Sequence, residues 1–180
     1  VKNAEGKSEI HVLNLKTFEY TPSAKAKFAT VDAAKQIDDV KSRIKALHHG
    51  TDKAGDFYRN VTALVNKYVS FRIPEIADEL YKIDDAVKAG FGWELGPFET
   101  WDVLGVEKTA QMMEASGFAP AAWVKEMTAA GNKSFYITEN GKRKFYDVAT
   151  KSYKDIPGAD AFILLDNYRT QKPVFQNAGA

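Results

Sequence analysis

The chain has no cysteine, which excludes disulfide staples and thiolate chemistry and fits a reducing, cytoplasmic compartment. Long apolar runs are missing too. The longest goes only from Ala161 to Leu165, far short of the roughly 20 residues that span a bilayer, so a soluble protein is expected. Charge of one sign is also lacking. The 25 basic and 24 acidic residues are well mixed and leave a formal charge of +1, without the clustered positive field of a nucleic-acid binder. No GxGxxG occurs, and no strand-glycine-helix unit for a dinucleotide can be placed. There is no signal-like start, and the chain opens at Val1 in the middle of what reads as a hairpin, as an excised piece of a longer protein would.

What is present is a core of ordinary size and a helical period. With 180 residues and 44% apolar content, one main domain is expected. Thr30 can cap a first helix carrying Ile37, Val40, Ile44 and Leu47 and stopping at Gly50. Thr51 can cap a long second helix with Ala54, Phe57 or Tyr58, Val61, Leu64 or Val65, Tyr68 and Val69 facing inward. Pro74 must end or kink it near Ile73, because a proline inside a helix removes a hydrogen bond and clashes with the turn before it. Further helices are expected over 75–89, with a break near Lys82, and over 97–104, 107–115 and 120–130, the last ending at Gly131. FYIT and KFYDV then flank Asn140-Gly141, and Asn-Gly between two β-prone runs signals a hairpin.

Set against itself at an offset of 135, the chain shows a weak repeat: Gly6-Lys7 with Gly141-Lys142, Ile10 with Phe145, Leu13 with Val148, Phe18 with Tyr153, Pro22 with Pro157. The expected organisation is therefore a β-hairpin tail of a preceding repeat over 1–22, a helical domain with its own terminal hairpin over 23–157, and a linker or first strand of a following domain over 158–180.

The most specific segment is IDDAVKAGFGWELGPFETWDVLGV, residues 83–106. Gly90 follows an apolar helical stretch and can close a helix end in the left-handed conformation. Gly92 permits a second bend that would turn Phe91 back onto the helices. Gly96 lets the chain enter a new helix at close quarters, Pro97 suits its first position, and Glu99 lies where the helix dipole favours negative charge. The packing reading makes Phe91, Trp93, Phe98 and Trp101 core residues; the other reading is direct ligand contact.

The order Ile83, Asp84, Ala86, Gly90-Phe91-Gly92, Gly96-Pro97-Phe98-Glu99, Asp102, Gly105 resembles the C-terminal domain of 3-hydroxyacyl-CoA dehydrogenases. The likeness covers roughly 51–157 and is strongest over 83–106. Its arrangement is similar to large bacterial members in which a nucleotide-binding domain is followed by two helical repeats and an enoyl-CoA hydratase-like domain. The implied fold is mainly α, a helical bundle with small edge β-hairpins, and this chain would be the second repeat. The implied parent activity is NAD-dependent oxidation of a 3-hydroxyacyl-CoA to a 3-ketoacyl-CoA in fatty-acid β-oxidation. The family's catalytic His and Glu belong to its nucleotide-binding domain, and no convincing pair with that spacing occurs here. The piece alone is expected to bind no NAD and to be inactive. Its expected partners are the other domains of the same polypeptide and, in the parent, the acyl-CoA substrate; the alternative is a stand-alone helical module binding acyl-CoA or a protein.

Asn60, within DFYRNVTALV, resembles the family's first-helix asparagine, which implies a role in orienting substrate. The segment departs from the family's Asn-Arg pair, since Val61 follows Asn60 and Arg59 precedes it. A structural hydrogen bond to a neighbouring loop would explain a buried asparagine equally well. His48 and His49 are adjacent and diverge on a helix, so neither a shared metal nor a catalytic role is assigned; a solvated or helix-end role is expected. Asp78, Glu79, Asp84, Asp85 and Glu94 could supply a general base if burial raised its pKa, but they read as a solvated face, with Asp84 also placed to cap the helix it begins. Lys41, Arg43 and Lys45 could meet an anionic ligand, although a wet mixed-charge face explains them as well.

Overall fold

A computed structural model describes residues 1–2, 5–24 and 26–159. Two short strands, β1 (His11–Leu13) and β2 (Tyr20–Pro22), form an antiparallel pair at the start of the chain. Seven helices follow among the described residues: α1 (Ala29–Ala34), α2 (Val40–His49), α3 (Lys53–Phe71), α4 (Leu80–Phe91), α5 (Pro97–Leu104), α6 (Val106–Ala115) and α7 (Ala122–Ala129). A meander of β3 (Tyr136–Glu139), β4 (Lys142–Asp147) and β5 (Ser152–Asp155) closes the described chain. The fold is thus mainly helical with small antiparallel sheets. The two β modules match in outline and not in register: His11 pairs with Pro22, whereas Tyr146, its counterpart in the repeat, pairs with Tyr153. Most of the segment 158–180 lies outside the described residues.

Helix boundaries follow the capping groups. The single first helix expected from Thr30 to Gly50 is two, because Asp39 accepts from the Ser42 amide at 2.7 Å and starts a new helix at Val40. Asp52, not Thr51, caps α3. One of its oxygens accepts from the Ala54 and Gly55 amides at 3.1 Å, and the other accepts from the Thr30 amide at 3.0 Å. Thr30 itself lies in the first turn of α1, which begins after Phe28. α3 ends at Phe71, ahead of Pro74, and α4 starts at Leu80, after a stretch of turns.

The inward face of α3 is rotated from the expected one, keeping Val69 buried and Tyr58 and Val65 partly buried. Gly55, Thr62, Ala63, Asn66, Val69 and Ser70 are buried, while Phe57, Val61, Leu64 and Tyr68 are 41–70% exposed. Small residues let neighbouring chain approach closely. The Ser70 hydroxyl accepts from the Ala121 amide at 3.0 Å, and its carbonyl accepts from Trp123 Nε1 at 2.8 Å. Apolar periodicity finds the axis of such a helix and misplaces its buried side.

The core sits where α4, α5, α7 and the meander meet. Leu80, Phe98, Trp101, Val124, Met127 and Phe135 have no exposed surface. Phe135 is the hub, with ring centroids 5.0 Å from Phe98, 5.2 Å from Trp101 and 5.8 Å from Trp123, in tilted or edge-on arrangements that add to simple burial. Phe91 and Trp93 are exposed by 77% and 47%, so only Phe98 and Trp101 of the four corner aromatics belong to the core.

Candidate functional site

The corner between α4 and α5 is organised by one carboxylate. Asp84 sits in the second turn of α4, 1% exposed, and does not cap its own helix. Its oxygens accept from the Phe98 amide at 2.9 Å, the Glu99 amide at 3.1 Å and the Tyr136 hydroxyl at 2.8 Å. It therefore serves α5 as the N-cap side chain that Gly96 lacks. Gly96 must be glycine for this: a Cβ there would lie 2.4 Å from the Asp84 Cβ and Cγ and 2.5 Å from its Cα. Gly92, not Gly90, closes α4, in the left-handed conformation at φ 67°.

Glu99 completes the corner by accepting from the Gly96 amide at 2.7 Å. Lys88 and Arg143 reach its other oxygen at 3.3 and 2.8 Å. Burial opposes charge on Glu99, but the Gly96 amide and the two cations outweigh it and hold its carboxyl below the usual value. One turn on, Asp102 accepts from the Phe135 and Tyr136 amides at 2.7 and 2.9 Å and ties α5 to the meander. Burial pushes Asp84 and Asp102 up to about 7, against the donors that favour their charged forms. Every oxygen of this cluster serves the fold. Together these bonds brace α4, α5 and the meander against one another.

Asn60 lies elsewhere. It is exposed, its side chain forms no hydrogen bond among the described residues, and it lines a cavity of about 400 Å³ with His48, Arg59, Thr109 and Met112. No side-chain bond ties it to a neighbouring loop among the described residues. Arg59 does the structural work beside it, donating to the carbonyls of His48 at 2.7 Å and Gly50 at 2.5 Å and pairing with Asp56. A cation suits that end of α2, where free carbonyls carry partial negative charge.

His48 is buried, at 7% exposed, contrary to the expected solvated role. Burial, followed by the charges of His49, Arg59 and Lys108, lowers it to about 4, so the ring is neutral at pH 7. His49 is exposed and bonded through Nδ1 to the Lys45 carbonyl at 2.8 Å. No group of three His, Asp or Glu side chains that could hold a metal ion occurs among the described residues. Of the acidic set, Asp78, Asp85 and Glu94 are exposed and Glu79 is partly buried. Arg43 meets Glu94 at 3.8 Å, whereas Lys41 and Lys45 form no ion pair among the described residues.

Sequence reasoning missed the roles of Asp102, Tyr136 and Arg143 and the burial of Asn66. Asp102 was in the quoted motif, so a signal existed. Tyr136 and Arg143 reach the corner only through contacts 34 to 52 positions away in sequence, which no local pattern reveals.

The family model for the 3-hydroxyacyl-CoA dehydrogenase C-terminal domain matches residues 59–147, a span that contains Asn60, the braced corner and the first hairpin of the meander. A probable 3-hydroxyacyl-CoA dehydrogenase of Bacillus subtilis strain 168 is 43% identical over 143 residues, 79% of this chain and 18% of that protein. A putative fatty acid oxidation complex trifunctional enzyme of Rickettsia felis is 29% identical over 174 residues, 92% of this chain and 21% of that protein. The chain thus spans about a fifth of the length of these relatives. No solved structure matches it. With the Gly-Phe-Gly and Gly-Pro-Phe-Glu corner, its Asp84 brace and the matched span in agreement, the chain belongs, through residues 59–147, to the 3-hydroxyacyl-CoA dehydrogenase C-terminal domain family.

Proposed function

We propose that this unit is a non-catalytic, structural part of an NAD-dependent 3-hydroxyacyl-CoA dehydrogenase of fatty-acid β-oxidation, completing the substrate cleft by contact. The observation that carries this reading is the outer face of α3. Phe57, Val61, Leu64, Tyr68 and Phe71 recur at intervals of four and three and are 41–70% exposed. An apolar seam of that period is the shape a partner helix fills, and a contiguous exposed apolar patch marks an interaction surface. The partners are the other domains of the same polypeptide: the preceding helical repeat, the nucleotide-binding domain and the hydratase-like domain. Both relatives are several times longer than this chain, which supports such neighbours.

The described strands pair only antiparallel, and no strand-helix-strand crossover with a glycine-rich turn occurs among the described residues. On this reading the dinucleotide and the hydride transfer belong to the nucleotide-binding domain of the parent. Asn60, exposed and with no side-chain hydrogen bond among the described residues, is the group this unit offers to the acyl-CoA substrate. No helix among the described residues is long and apolar enough to cross a membrane, and a cysteine-free chain suits the cytoplasm.

The purified chain, mixed with 3-hydroxybutyryl-CoA and NAD⁺, is expected to yield no NADH, and with acetoacetyl-CoA to consume none. Turnover in either direction would overturn the reading. In the parent enzyme, Asn60→Ala should lower kcat/KM while leaving the melting temperature unchanged; unaltered kinetics would remove Asn60 from the site.

A further inference from the structure

Three carboxylates and two cations meet where α4, α5 and the meander come together. Asp84 and Glu99 are buried and Asp102 is partly so. Both cations are committed to Glu99, Lys88 at 3.3 Å and Arg143 at 2.8 Å. Arg143 also stacks on the Tyr136 ring, 4.1 Å from its centroid. Asp84 and Asp102 have no ion-pair partner among the described residues. With all five groups ionised, the junction carries one negative charge more than it can pair, in a place where burial makes an unpaired charge costly.

One residue joins the two unpaired acids. Tyr136 donates its hydroxyl to Asp84 Oδ2 at 2.8 Å and its amide to Asp102 Oδ2 at 2.9 Å, and the Phe135 amide reaches Asp102 Oδ1 at 2.7 Å. The start of β3 thus hangs on this pair of carboxyls. Tyr136, Glu99, Asp102 and Arg143 also line a polar cleft of about 610 Å³ that opens to solvent and gives protons a route in. The other charged groups on that cleft are Lys41 and Lys45 of α2, and Glu94, which Arg43 meets at 3.8 Å. Asp85 is drawn to Lys88 at 3.0 Å. Tyr153 of β5, which feels the charge of Asp102, gives its hydroxyl to the Ser134 carbonyl at 2.6 Å. A proton can settle on Asp84 without the loss of a bond, because a phenol oxygen accepts as well as donates. Asp84 Oδ2 then donates to Tyr136, whose own hydrogen turns to the cleft.

We propose that Asp84 and Asp102 hold one proton between them and form a proton-operated latch on the meander: the bound proton balances the charge of the junction and keeps β3 against α5, and its loss frees the start of β3. Burial pushes both carboxyls from 3.8 up to about 7, and two such groups in one site titrate as a pair. A carboxyl raised in this way stabilises the fold fully below its unfolded value and loses that contribution as the pH rises through about 7. The latch therefore closes below neutrality and opens above it. The inference rests on the junction alone and not on the dehydrogenase reading, so turnover by the chain and a silent latch are separate results.

Two NMR measurements on the purified chain test it: titration of the aspartate carboxyl carbons, and amide hydrogen exchange corrected for the intrinsic rate at each pH. The Asp84 and Asp102 pair takes up one proton between pH 6 and 8. Protection of the Phe135 and Tyr136 amides falls about tenfold from pH 6 to pH 8, the change expected when opening is linked to one proton held near pH 7, while protection in the middle of α3 holds. Neither readout depends on a variant folding. Asp102→Asn, an uncharged mimic of the protonated acid, makes the protection of these amides independent of pH over the same range. Both carboxyls titrating below pH 5, wild-type protection at Phe135 and Tyr136 that stays flat or merely follows that of α3, or an undiminished pH dependence in Asp102→Asn would overturn the proposal.

Discussion

Replacing Asp84 by alanine strips three donors of their acceptor at once. The Phe98 and Glu99 amides and the Tyr136 hydroxyl all point at this carboxylate, at 2.9, 3.1 and 2.8 Å, and the site is 1% exposed at Asp84. Each orphaned donor costs about 1–3 kcal/mol when water cannot replace the lost partner. The three share one acceptor and are not additive, so about 3–5 kcal/mol is expected, the range for breaking a buried polar pair. For a chain of this size each kcal/mol moves the melting temperature by about 2–4 °C, which gives a fall of about 6–20 °C. Asp84→Asn keeps the volume and one carbonyl acceptor but turns an NH₂ toward a backbone amide, and should fall between wild type and alanine. Tyr136→Phe loses only one of the three bonds and should cost about 1 kcal/mol. Circular-dichroism melts and urea unfolding of the four proteins at pH 7 decide the matter. An alanine variant melting within about 2 °C of wild type, under 1 kcal/mol on that scale, would refute the claim that α5 is held by a side chain from α4.

Three further outcomes are expected. Gly96→Ala should destabilise by about 1–3 kcal/mol although φ is an ordinary −75°, because the new Cβ would lie 2.4 Å from Asp84; a neutral urea midpoint would show that the close approach is not needed. Phe98→Ala, at a fully buried position, should cost about 3–5 kcal/mol, and an unshifted melt would contradict the placement of the core. His48, lowered by burial from 6.5 to about 4, stays neutral in the folded chain while the unfolded chain takes up a proton, so its stabilising contribution is complete above pH 6.5 and lost as pH falls toward 4. Asp84 and Asp102, raised to about 7, act in the opposite sense over an overlapping range. The readout is therefore the difference from His48→Gln, whose urea midpoint must fall less steeply with acid; parallel slopes would refute it.

Legibility varied with the range of the interaction that decides each feature. Pro97 at the first position of α5, Glu99 in its first turn and the Asn140-Gly141 turn were readable because each is settled within a few residues. The caps of α1 and α3 were misread at Thr30 and Thr51 because Asp52 serves both helices at once, and a bond across 22 residues leaves no local trace. Gly90 was given the left-handed turn that Gly92 takes; two glycines in one motif are equally permissive, and packing chooses between them. Asn60 was legible as a polar group on α3, but its exposure was not, since the whole helix is turned so that its small residues face the core.

The sequence by itself determined the helical class, the family and the position of the glycine and proline corner, because short-range sterics and capping decide those and need no distant partner. The tertiary structure alone decided which face of α3 is buried, that Asp84 caps a helix other than its own, and that Asn66 rather than Asn60 is sealed away with an unmet donor. The reason is physical: burial and hydrogen-bond pairing are properties of surfaces brought together across 14 to 52 residues of chain, and they exist only once the helices have packed.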